Sequence, residues 1–219
     1  MNVAAGRSAK FSNVDLSTIK VVRATTDDDF ATVAMLRANG FARSLRTLDP
    51  KVIQWIDVAD RNGSAFTLIA YEANGRPAGT VRLQDSRKGT LELHRFVELS
   101  SILPFTERPA VQISRLSAMR GPRSGAVVLA LFAAAWGWCL AEGIKSMVVA
   151  IPRRSRPLYD YLQFTDLGPA GRFRHAFSGN LPHMTMRLAV HEVEAQMREG
   201  KHPLDAQFRA VAEQLGLNN

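Results

Sequence analysis

The stretch VQISRLSAMRGPRSGAVVLALF, residues 111–132, joins three local patterns that together decide the fold. Its first part, residues 111–119, is typical of a β-strand, and residues 120–126 form a basic loop that glycines interrupt. The apolar run that follows predicts a buried helix over residues 127–142. A strand, a loop and a helix in this order are the first half of a βαβ unit.

A second strand completes that unit. Gly143 ends the predicted helix, and SMVVAI, residues 146–151, predicts a short buried strand that Pro152 terminates. Two strands joined through a helix normally lie parallel, with a right-handed crossover. Because a hairpin elsewhere in the chain requires antiparallel strands, the sequence predicts a mixed sheet.

That hairpin is the clearest turn signal in the chain. Residues 65–72 and 76–84 flank Asn74 and Gly75, a pair suited to the positive φ angles of a tight two-residue turn. The other predicted elements are a strand over 19–23, a helix that Thr25 or Thr26 caps and Gly40 ends, a helix over 51–60, an unassigned segment 91–99, a helix over 156–164 and a strand over 183–190.

Length and composition place the chain among single globular domains. It has 219 residues, of which 46% are hydrophobic and 22% charged, close to an average soluble protein. We predict an α/β (α+β) fold, a single domain with a mixed, mostly antiparallel sheet flanked by helices. Residues 1–18 are predicted to form a flexible arm, residues 19–190 the domain, and residues 191–219 a helical extension that packs back onto it.

Charge and cysteine content limit the function classes. A formal net charge of +8 attracts anions such as nucleic acid, anionic lipid, coenzyme A phosphates or an acidic protein, without choosing among them. The single cysteine, Cys139, rules out an internal disulfide and favours a reduced, cytoplasmic location.

The N-terminus lacks the apolar core of a secretory signal. The longest apolar run, Ala126 to Ala141, is shorter than the ~18–20 residues of a membrane span, so no transmembrane segment is predicted.

The loop RGPRSGA, residues 120–126, lies where a strand turns into a helix. Unpaired amides at a helix start carry partial positive charge, and small residues there let a phosphate approach. Arg120 and Arg123 would add full charges. The GxxxxGK[ST] phosphate loop and the GxGxxG dinucleotide fingerprint are both absent. The loop therefore fits a phosphate-bearing cofactor, a nucleic-acid backbone or an ordinary Gly-Pro turn.

The order of elements resembles the GNAT acyltransferase fold over about residues 19–190. The family's pyrophosphate loop, roughly Arg/Gln-x-x-Gly-x-Gly/Ala, falls on RGPRSGA, where Gly125 and Ala126 match its glycine end. LYDYLQF, residues 158–164, is similar to the family's Tyr-x-x-x-Gly-Phe, with Gln163 at the glycine. The resemblance implies an acyl-CoA or acyl-phosphopantetheine donor substrate and no tightly bound cofactor.

A narrower resemblance is to the GNAT-like branch that contains the acyl-homoserine-lactone (autoinducer) synthases and the N-acyl amino acid synthases. MLRANGF, WIDVAD, GTVRLQ and ISRLSAM follow one another in the order found there. They resemble the branch's Arg near the first helix, its Asp-x-x-Asp pair, its Gly-Thr-x-Arg strand and its Glu-x-Ser-Arg strand. The last motif falls on Ser114 and Arg115. The implied substrate-binding residues are Arg37, Phe41, Asp57, Asp60 and Arg82.

The resemblance also implies how other residues would act in acyl transfer. The catalytic candidates are Gln112, Arg115 and Tyr159, together with Glu92, which precedes the site strand and is one of the nearest titratable residues. Tyr159 would protonate the leaving sulfur, or else pack half-buried. No metal ligands are predicted. The donor's pantetheine arm and phosphate would be held by Leu116, Ser117, Ala118, Met119, Arg120, Gly121, Arg123, Ser124, Gly125 and Ala126.

One residue departs from the branch's pattern. Gln112 stands at its acidic position, and an amide does not accept a proton at neutral pH. A base must then come from Glu92 or His94, or from water that Gln112 holds. A further alternative is a protein that binds an acyl donor without catalysing transfer. The charged residues at the matching positions would also suit a purely structural network of ion pairs.

Three functions follow from these observations. The first is a cytoplasmic acyltransferase that moves an acyl group from an acyl-carrier-protein or acyl-CoA thioester to the amine of an amino acid or related small metabolite. Arg153, Arg154 and Arg156 would suit an acidic acyl carrier protein. The second is a catalytically silent binding or sensor protein on the same scaffold. The third, a basic nucleic-acid-binding module, is disfavoured because aromatic residues do not interleave the arginines.

Overall fold

The structure, a computed structural model, describes residues 15–41, 56–176, 179–202, 204, 205 and 208. Most of the predicted arm, the first half of the helix predicted over 51–60 and the end of the predicted extension lie outside them. The strands are β1 Ile19–Arg23, β2 Ala65–Glu72, β3 Pro77–Asp85, β4 Ala110–Ala118, β5 Ser146–Pro152, β6 Thr165–Asp166, β7 Arg172–His175 and β8 Leu181–Ala189. The α-helices are α1 Asp27–Phe41, α2 Val58–Arg61, α3 Leu99–Ile102, α4 Ser124–Ala141, α5 Arg156–Tyr161 and α6 Val190–Arg198.

These strands form one sheet in the order β1-β2-β3-β4-β5-β8-β6, with β7 paired to β8. Neighbouring strands are antiparallel except β4 and β5, which are parallel and connected through α4. The arrangement confirms the predicted βαβ unit within a mixed, mostly antiparallel sheet flanked by helices.

The parallel strands β4 and β5 separate part way along their length. Their pairing ends at Ile113 and Val149, although β4 continues for five residues and β5 for three. Just beyond this point β4 has a β-bulge, in which Arg115 and Leu116 lie opposite Val81 of β3. A bulge bends its strand, so β4 turns away from β5. We call the resulting gap between their carboxyl ends the β4–β5 cleft.

The two faces of the sheet have different chemistry because side chains alternate along each strand. One face carries apolar residues such as Val81, Leu83 and Val111, which pack with α4 into the main core. The other face, here called the polar face, lies under α1 and the segment between β3 and β4. Its central strands carry buried or half-buried polar side chains, namely Thr67, Arg82, Gln84, Gln112 and Ser114.

The helix α4 is the buried core element that its apolar sequence predicts. It is 18 residues long and apolar enough, by length and composition, to cross a membrane, but 67% of it is buried inside the protein. Trp136 lies against Phe208 and donates from Nε1 to the backbone oxygen of Val190. Trp138 packs edge-on against Phe66. These are the contacts of a helix in a protein core.

The hairpin turn differs from the prediction. Gly75 has a positive φ of 78°, whereas Asn74 does not, so a two-residue turn with two positive φ angles is wrong. The amide of Gly75 donates to the oxygen of Glu72 at 2.8 Å, and the amide of Glu72 donates to the oxygen of Arg76 at 2.9 Å. These bonds close a three-residue loop, and a bulge in β3, where Ala78 lies between the partners of Tyr71 and Ala70, absorbs the change of register.

Helix starts also differ from the predictions. The helix α4 begins at Ser124 rather than at residue 127, which brings the glycine end of the loop into its first turn. Asp57 is the N-cap of α2, so the predicted helix over 51–60 is not helical at residues 56 and 57. The unassigned segment contains a 3₁₀ turn, Glu92–Arg95.

Candidate active site

Two carboxylates and two arginines meet on the polar face beside the β4–β5 cleft. Arg82, on β3, donates from Nη1 to Asp57 Oδ2 at 2.8 Å, from Nη2 to Glu92, and from Nε to the Ser114 hydroxyl at 3.1 Å. Arg115 donates from Nη2 to the same Asp57 oxygen at 2.5 Å and lies 3.8 Å from a Glu92 oxygen. We call Asp57, Arg82, Glu92 and Arg115 the charged cluster.

The short helix α2 directs two aspartates to different arginines. Asp57 and Asp60 form a capping box, in which each side chain accepts the other's backbone amide. Asp60 also accepts both terminal nitrogens of Arg37, at 2.8 and 2.9 Å. Burial opposes ionisation of Asp60, but the hydrogen bonds and charge of Arg37 outweigh it and lower the pKa of Asp60 to about 2. The helix start below the charged cluster is thus fixed by an ionised pair.

Exposure distinguishes this pair from the charged cluster. The side chains of Arg37 and Asp60 are 0% exposed, so their pairing is structural. The side chains of Asp57, Glu92 and Arg115 are 23%, 24% and 24% exposed. A small polar molecule can therefore contact these three groups from solvent.

Arg115 reaches the cluster from an unusual backbone conformation. Its φ of 53° lies in the left-handed region, which costs a non-glycine residue roughly 1–3 kcal/mol. The bulge of β4 imposes this conformation and turns the guanidinium toward Asp57 and Glu92. Burial and the charge of Arg82 lower the pKa of Arg115, while Glu92 and Asp57 act in the opposite direction.

Gln112 holds the segment that carries Glu92. Its buried Oε1 accepts the backbone amide of Leu93 at 2.8 Å. Gln84, directly opposite on β3, accepts the amide of Glu92 at 3.1 Å and donates to the oxygen of Thr90 at 2.9 Å. The two glutamines thereby fix the 3₁₀ turn on the sheet and place the Glu92 carboxylate beside Arg82. Gln112 thus supports the turn that carries Glu92.

The predicted donor-binding residues continue from Arg115 along the same strand, β4, and into the start of α4. Leu116 is the second residue of the bulge, Ser117 to Met119 follow it, and the amide of Met119 donates to the backbone oxygen of Ala78 at 2.7 Å. Ser117 does not face the cleft freely, because its buried hydroxyl donates to the oxygen of Leu36 in α1 at 2.7 Å. This bond ties β4 to the helix that covers the polar face.

The loop and the first turn of α4 offer backbone amides to an anion. Arg123 is the N-cap of α4 and makes no side-chain cap bond. Within the part of the chain that the structure describes, the amides of Gly125 and Ala126 donate to no protein group, as expected at a helix start. Arg120, Gly121 and Ser124 complete the loop. Arg120 is exposed, whereas Arg123 donates to the Thr18 hydroxyl.

Other predicted site residues lie farther from the charged cluster. Tyr159 packs in the α4 core between Phe132 and Phe164, at ring distances of 5.6 and 5.3 Å, and burial raises its pKa. His94 is exposed on the 3₁₀ turn, so Glu92 is the candidate base that faces the cluster. Phe41 is the half-buried last residue of α1.

Comparison with known proteins places this geometry in a fold family. No protein-family profile and no curated protein matches the sequence. Among solved structures, FeeM, an N-acyl amino acid synthase from uncultured soil microbes, superposes with a TM-score of 0.64 at 15% identity, covering 87% of this chain and 96% of its own. BjaI, a CoA-dependent acyl-homoserine lactone synthase, gives 0.61 at 20% identity, with coverages of 92% and 90%.

A third neighbour is more distant in architecture. A putative N-acetyltransferase from Lactobacillus plantarum gives a TM-score of 0.54 at 15% identity and covers 79% of this chain and 99% of its own. The chain therefore has a GNAT-like fold, similar to the folds of an N-acyl amino acid synthase and of acyl-homoserine-lactone synthases.

Proposed function

We propose that the protein is an N-acyltransferase that moves an acyl group from an acyl-CoA or acyl-carrier-protein thioester to the amine of an amino acid or related small metabolite. The β4–β5 cleft carries this proposal, because the charged cluster lies beside it and α4 begins at its end. A thioester and a charged amine would meet at this point. The names of FeeM and BjaI, two structural neighbours, support an acyl-transfer reaction.

The cleft suits an extended donor. Beyond Ile113, β4 has no β5 backbone beside it, so a pantetheine arm can bond to the backbone of Leu116 to Met119 like an added strand. The amides at the start of α4 would bind the donor's phosphate, with Arg120 nearby in the loop. Free coenzyme A and a carrier's phosphopantetheine share this chemistry, and both remain proposed donors.

The charged cluster suits an acceptor with the two charges of an amino acid. Arg115 would bind a carboxylate, and Asp57 and Glu92 would bind an ammonium group. Arg82, whose side chain is 2% exposed, would hold the two carboxylates in place. The acceptor would enter by replacing the ion pairs that Arg115 makes in the free protein.

The reaction needs three changes at the acceptor and the thioester. The ammonium loses a proton, the amine nitrogen then bonds to the thioester carbonyl carbon, and the carbon–sulfur bond breaks. The sulfur leaves as a thiol after taking up the second proton of the amine. The protein's part is to align the two substrates and to remove the first proton.

Mass spectrometry of lipid extracts tests the proposal. Cells that express the protein would be compared with cells that express Arg115→Ala and with empty vector. The expected result is a set of N-acylated amines that only the unmutated protein produces. Arg76→Ala, which removes an exposed arginine of the hairpin, serves as the matched control and should leave the products unchanged.

Assays with purified protein distinguish a protein that binds a thioester without reacting from a protein that does not bind it. Acyl-CoA and acyl-carrier-protein donors would be assayed with single amino acids, and thioester binding would be measured in parallel. Thioester binding without turnover of any acceptor would contradict the proposed reaction and favour a silent binding protein. If the protein neither binds a thioester nor turns one over, the proposed thioester site is contradicted.

A further inference from the structure

Four aromatic rings form a cluster on the segment after Glu92 and on the strands β7 and β8. The Phe96 ring stacks on Phe173 at 4.8 Å and on His175 at 4.7 Å. His183 lies 4.8 Å from the His175 ring and 5.8 Å from Phe173. The sequence does not predict either histidine as a site residue. They come together only because β7 and β8 pair in the sheet, and no local sequence pattern shows that pairing.

The cluster faces the same side of the sheet as the charged cluster. Met184 and Met186 of β8 belong to the α4 core, so His183, which alternates with them, points to the polar face. His183 pairs with Pro152 at the carboxyl end of β5, the strand that borders the β4–β5 cleft opposite Arg115. His183 therefore lies on the β5 side of the cleft, one strand beyond β5, and it is buried within the aromatic cluster.

The hydrogen bond of His183 fixes where its proton resides. Nδ1 lies 2.9 Å from the backbone oxygen of Leu181, and a carbonyl oxygen accepts but cannot donate. Nδ1 therefore carries the hydrogen, and in the neutral ring Nε2 carries a lone pair. Among the residues that the structure describes, none makes a hydrogen bond to Nε2 of His183.

The surroundings favour the neutral ring. Burial lowers the pKa of His183 more than the hydrogen bond to Leu181 raises it, and the charge of Arg154, in the turn after β5, lowers it further. Burial and His183 also lower the pKa of His175 on β7, and Glu92 on the 3₁₀ turn acts in the opposite direction. Both imidazoles are therefore neutral near pH 7, the state in which a histidine accepts a proton.

We propose that Nε2 of His183 accepts the proton of the acceptor's ammonium group, the role that Gln112 cannot perform. This inference rests on the proposed acyl transfer. The ammonium N–H bond breaks, its proton moves to Nε2, and the nitrogen keeps the electron pair with which it attacks the thioester. After the carbon–sulfur bond breaks, the imidazolium returns its proton to solvent.

The pH dependence of kcat/KM tests this role. The unmutated enzyme should reach a plateau above the pKa of His183, because the base is then neutral. His183→Gln should lower kcat/KM about 100-fold at pH 7, the scale of a lost general base. Its rate should then keep rising with pH until the acceptor's own amine deprotonates. His191→Gln, an exposed histidine of α6 paired with Glu194, is the matched control and should keep the plateau.

The outcomes separate this inference from the proposed function. A His183→Gln profile that keeps the original plateau overturns the assignment of the base while leaving acyl transfer in place. No product from the unmutated enzyme overturns acyl transfer and the base together. Imidazole ¹⁵N NMR of the unmutated protein adds a measurement that needs no turnover and no variant. It should show the Nδ1–H tautomer of His183 at pH 7, and a charged ring at that pH would refute the proposal.

Discussion

Asp57 and Asp60 are three residues apart in sequence, but they make different kinds of ion pair in the structure. Asp60 is buried with Arg37 and supports the fold, whereas Asp57 reaches solvent beside Arg115. The sequence predicted that these residues belong together but could not separate the two roles. The difference between the two aspartates lies in how deeply each is buried, and the capping geometry of α2 sets this burial.

Asp60→Asn should destabilise the protein by about 3 kcal/mol at pH 7, because it leaves Arg37 buried without a full counter-charge. The folded-state pKa of Asp60, about 2, lies below its ordinary value of 3.8. Its stabilisation is therefore present above pH 4 and is lost as the pH falls toward 2. Urea unfolding at pH 7 and pH 3 measures both effects, and the difference between the two proteins should shrink at the lower pH.

Asp27→Asn is the matched control for that measurement. Asp27 pairs with Arg61 in an exposed pair, with side-chain exposures of 90% and 60%, so its loss should cost under about 1 kcal/mol. An equal loss of stability in Asp27→Asn and Asp60→Asn would contradict a special role for the buried pair.

Gln112→Leu should lower kcat/KM about 10-fold without weakening thioester binding. The change removes the acceptor of the Leu93 amide, and an unsatisfied buried amide costs about 1–3 kcal/mol, so the turn that carries Glu92 should shift. Steady-state kinetics and thioester titration provide the two measurements. Gln196→Leu, on the distant helix α6, should change neither, and a weaker thioester affinity in Gln112→Leu would point to a donor role instead.

At the scale of elements, the contact between β3 and the first turn of α4 is unusually close. A Cβ atom at Gly79 would lie 2.4 Å from Val127 Cγ1 and 2.9 Å from the backbone oxygen of Ser117. The glycine of the Gly-Thr-x-Arg motif is therefore required by packing. It lets α4 begin directly beside the cleft.

Gly79→Ala should lower the free energy of unfolding by roughly 1–3 kcal/mol, the usual cost of overpacking a core. Chemical denaturation measures the loss. Gly121→Ala adds the same methyl group where no atom lies within 4 Å and should leave stability nearly unchanged. If both variants were equally stable, the close contact of β3 with α4 would not constrain this position.

The elements themselves were largely predictable, whereas the cleft was not. The strand, loop and helix of residues 111–142 and the following strand carry clear periodic signals, and the structure confirms them. Where β4 stops pairing with β5 depends on a bulge that no local pattern encodes. Gln84 supports Gln112 only because the register of β3 and β4 places the two opposite each other.

At the scale of the whole molecule, the excess positive charge is unevenly neutralised. Arg156 pairs with Asp160 at 3.2 Å and lies 3.7 Å from Asp166, so one of the three arginines predicted to meet a carrier protein is already compensated. Arg153 and Arg154 are exposed in the turn after β5, on the cleft side of the sheet.

Charge reversal of Arg153 and Arg154 to Glu should raise KM for an acyl-carrier-protein donor about 10-fold and leave KM for acyl-CoA nearly unchanged. The physical reason is repulsion between two acidic surfaces. Initial-rate kinetics at low and moderate salt measure it, since screening should reduce the effect. Arg61→Glu with Arg76→Glu makes the same change of net charge elsewhere, and an equal rise in KM there would show that only net charge matters.

The β4–β5 cleft also bears on which molecules the protein excludes. Backbone groups that lack a neighbouring strand normally invite other chains to add themselves, which is a hazard at the rim of a sheet. The β4–β5 cleft, in contrast, lies between two strands of the same sheet, with β3 beyond β4 and β8 beyond β5. Any added chain would therefore have to enter between β4 and β5 instead of extending an open edge of the sheet. The fold thus keeps these unpaired backbone groups inside the sheet, away from its β1 edge, where a strand of another protein would add.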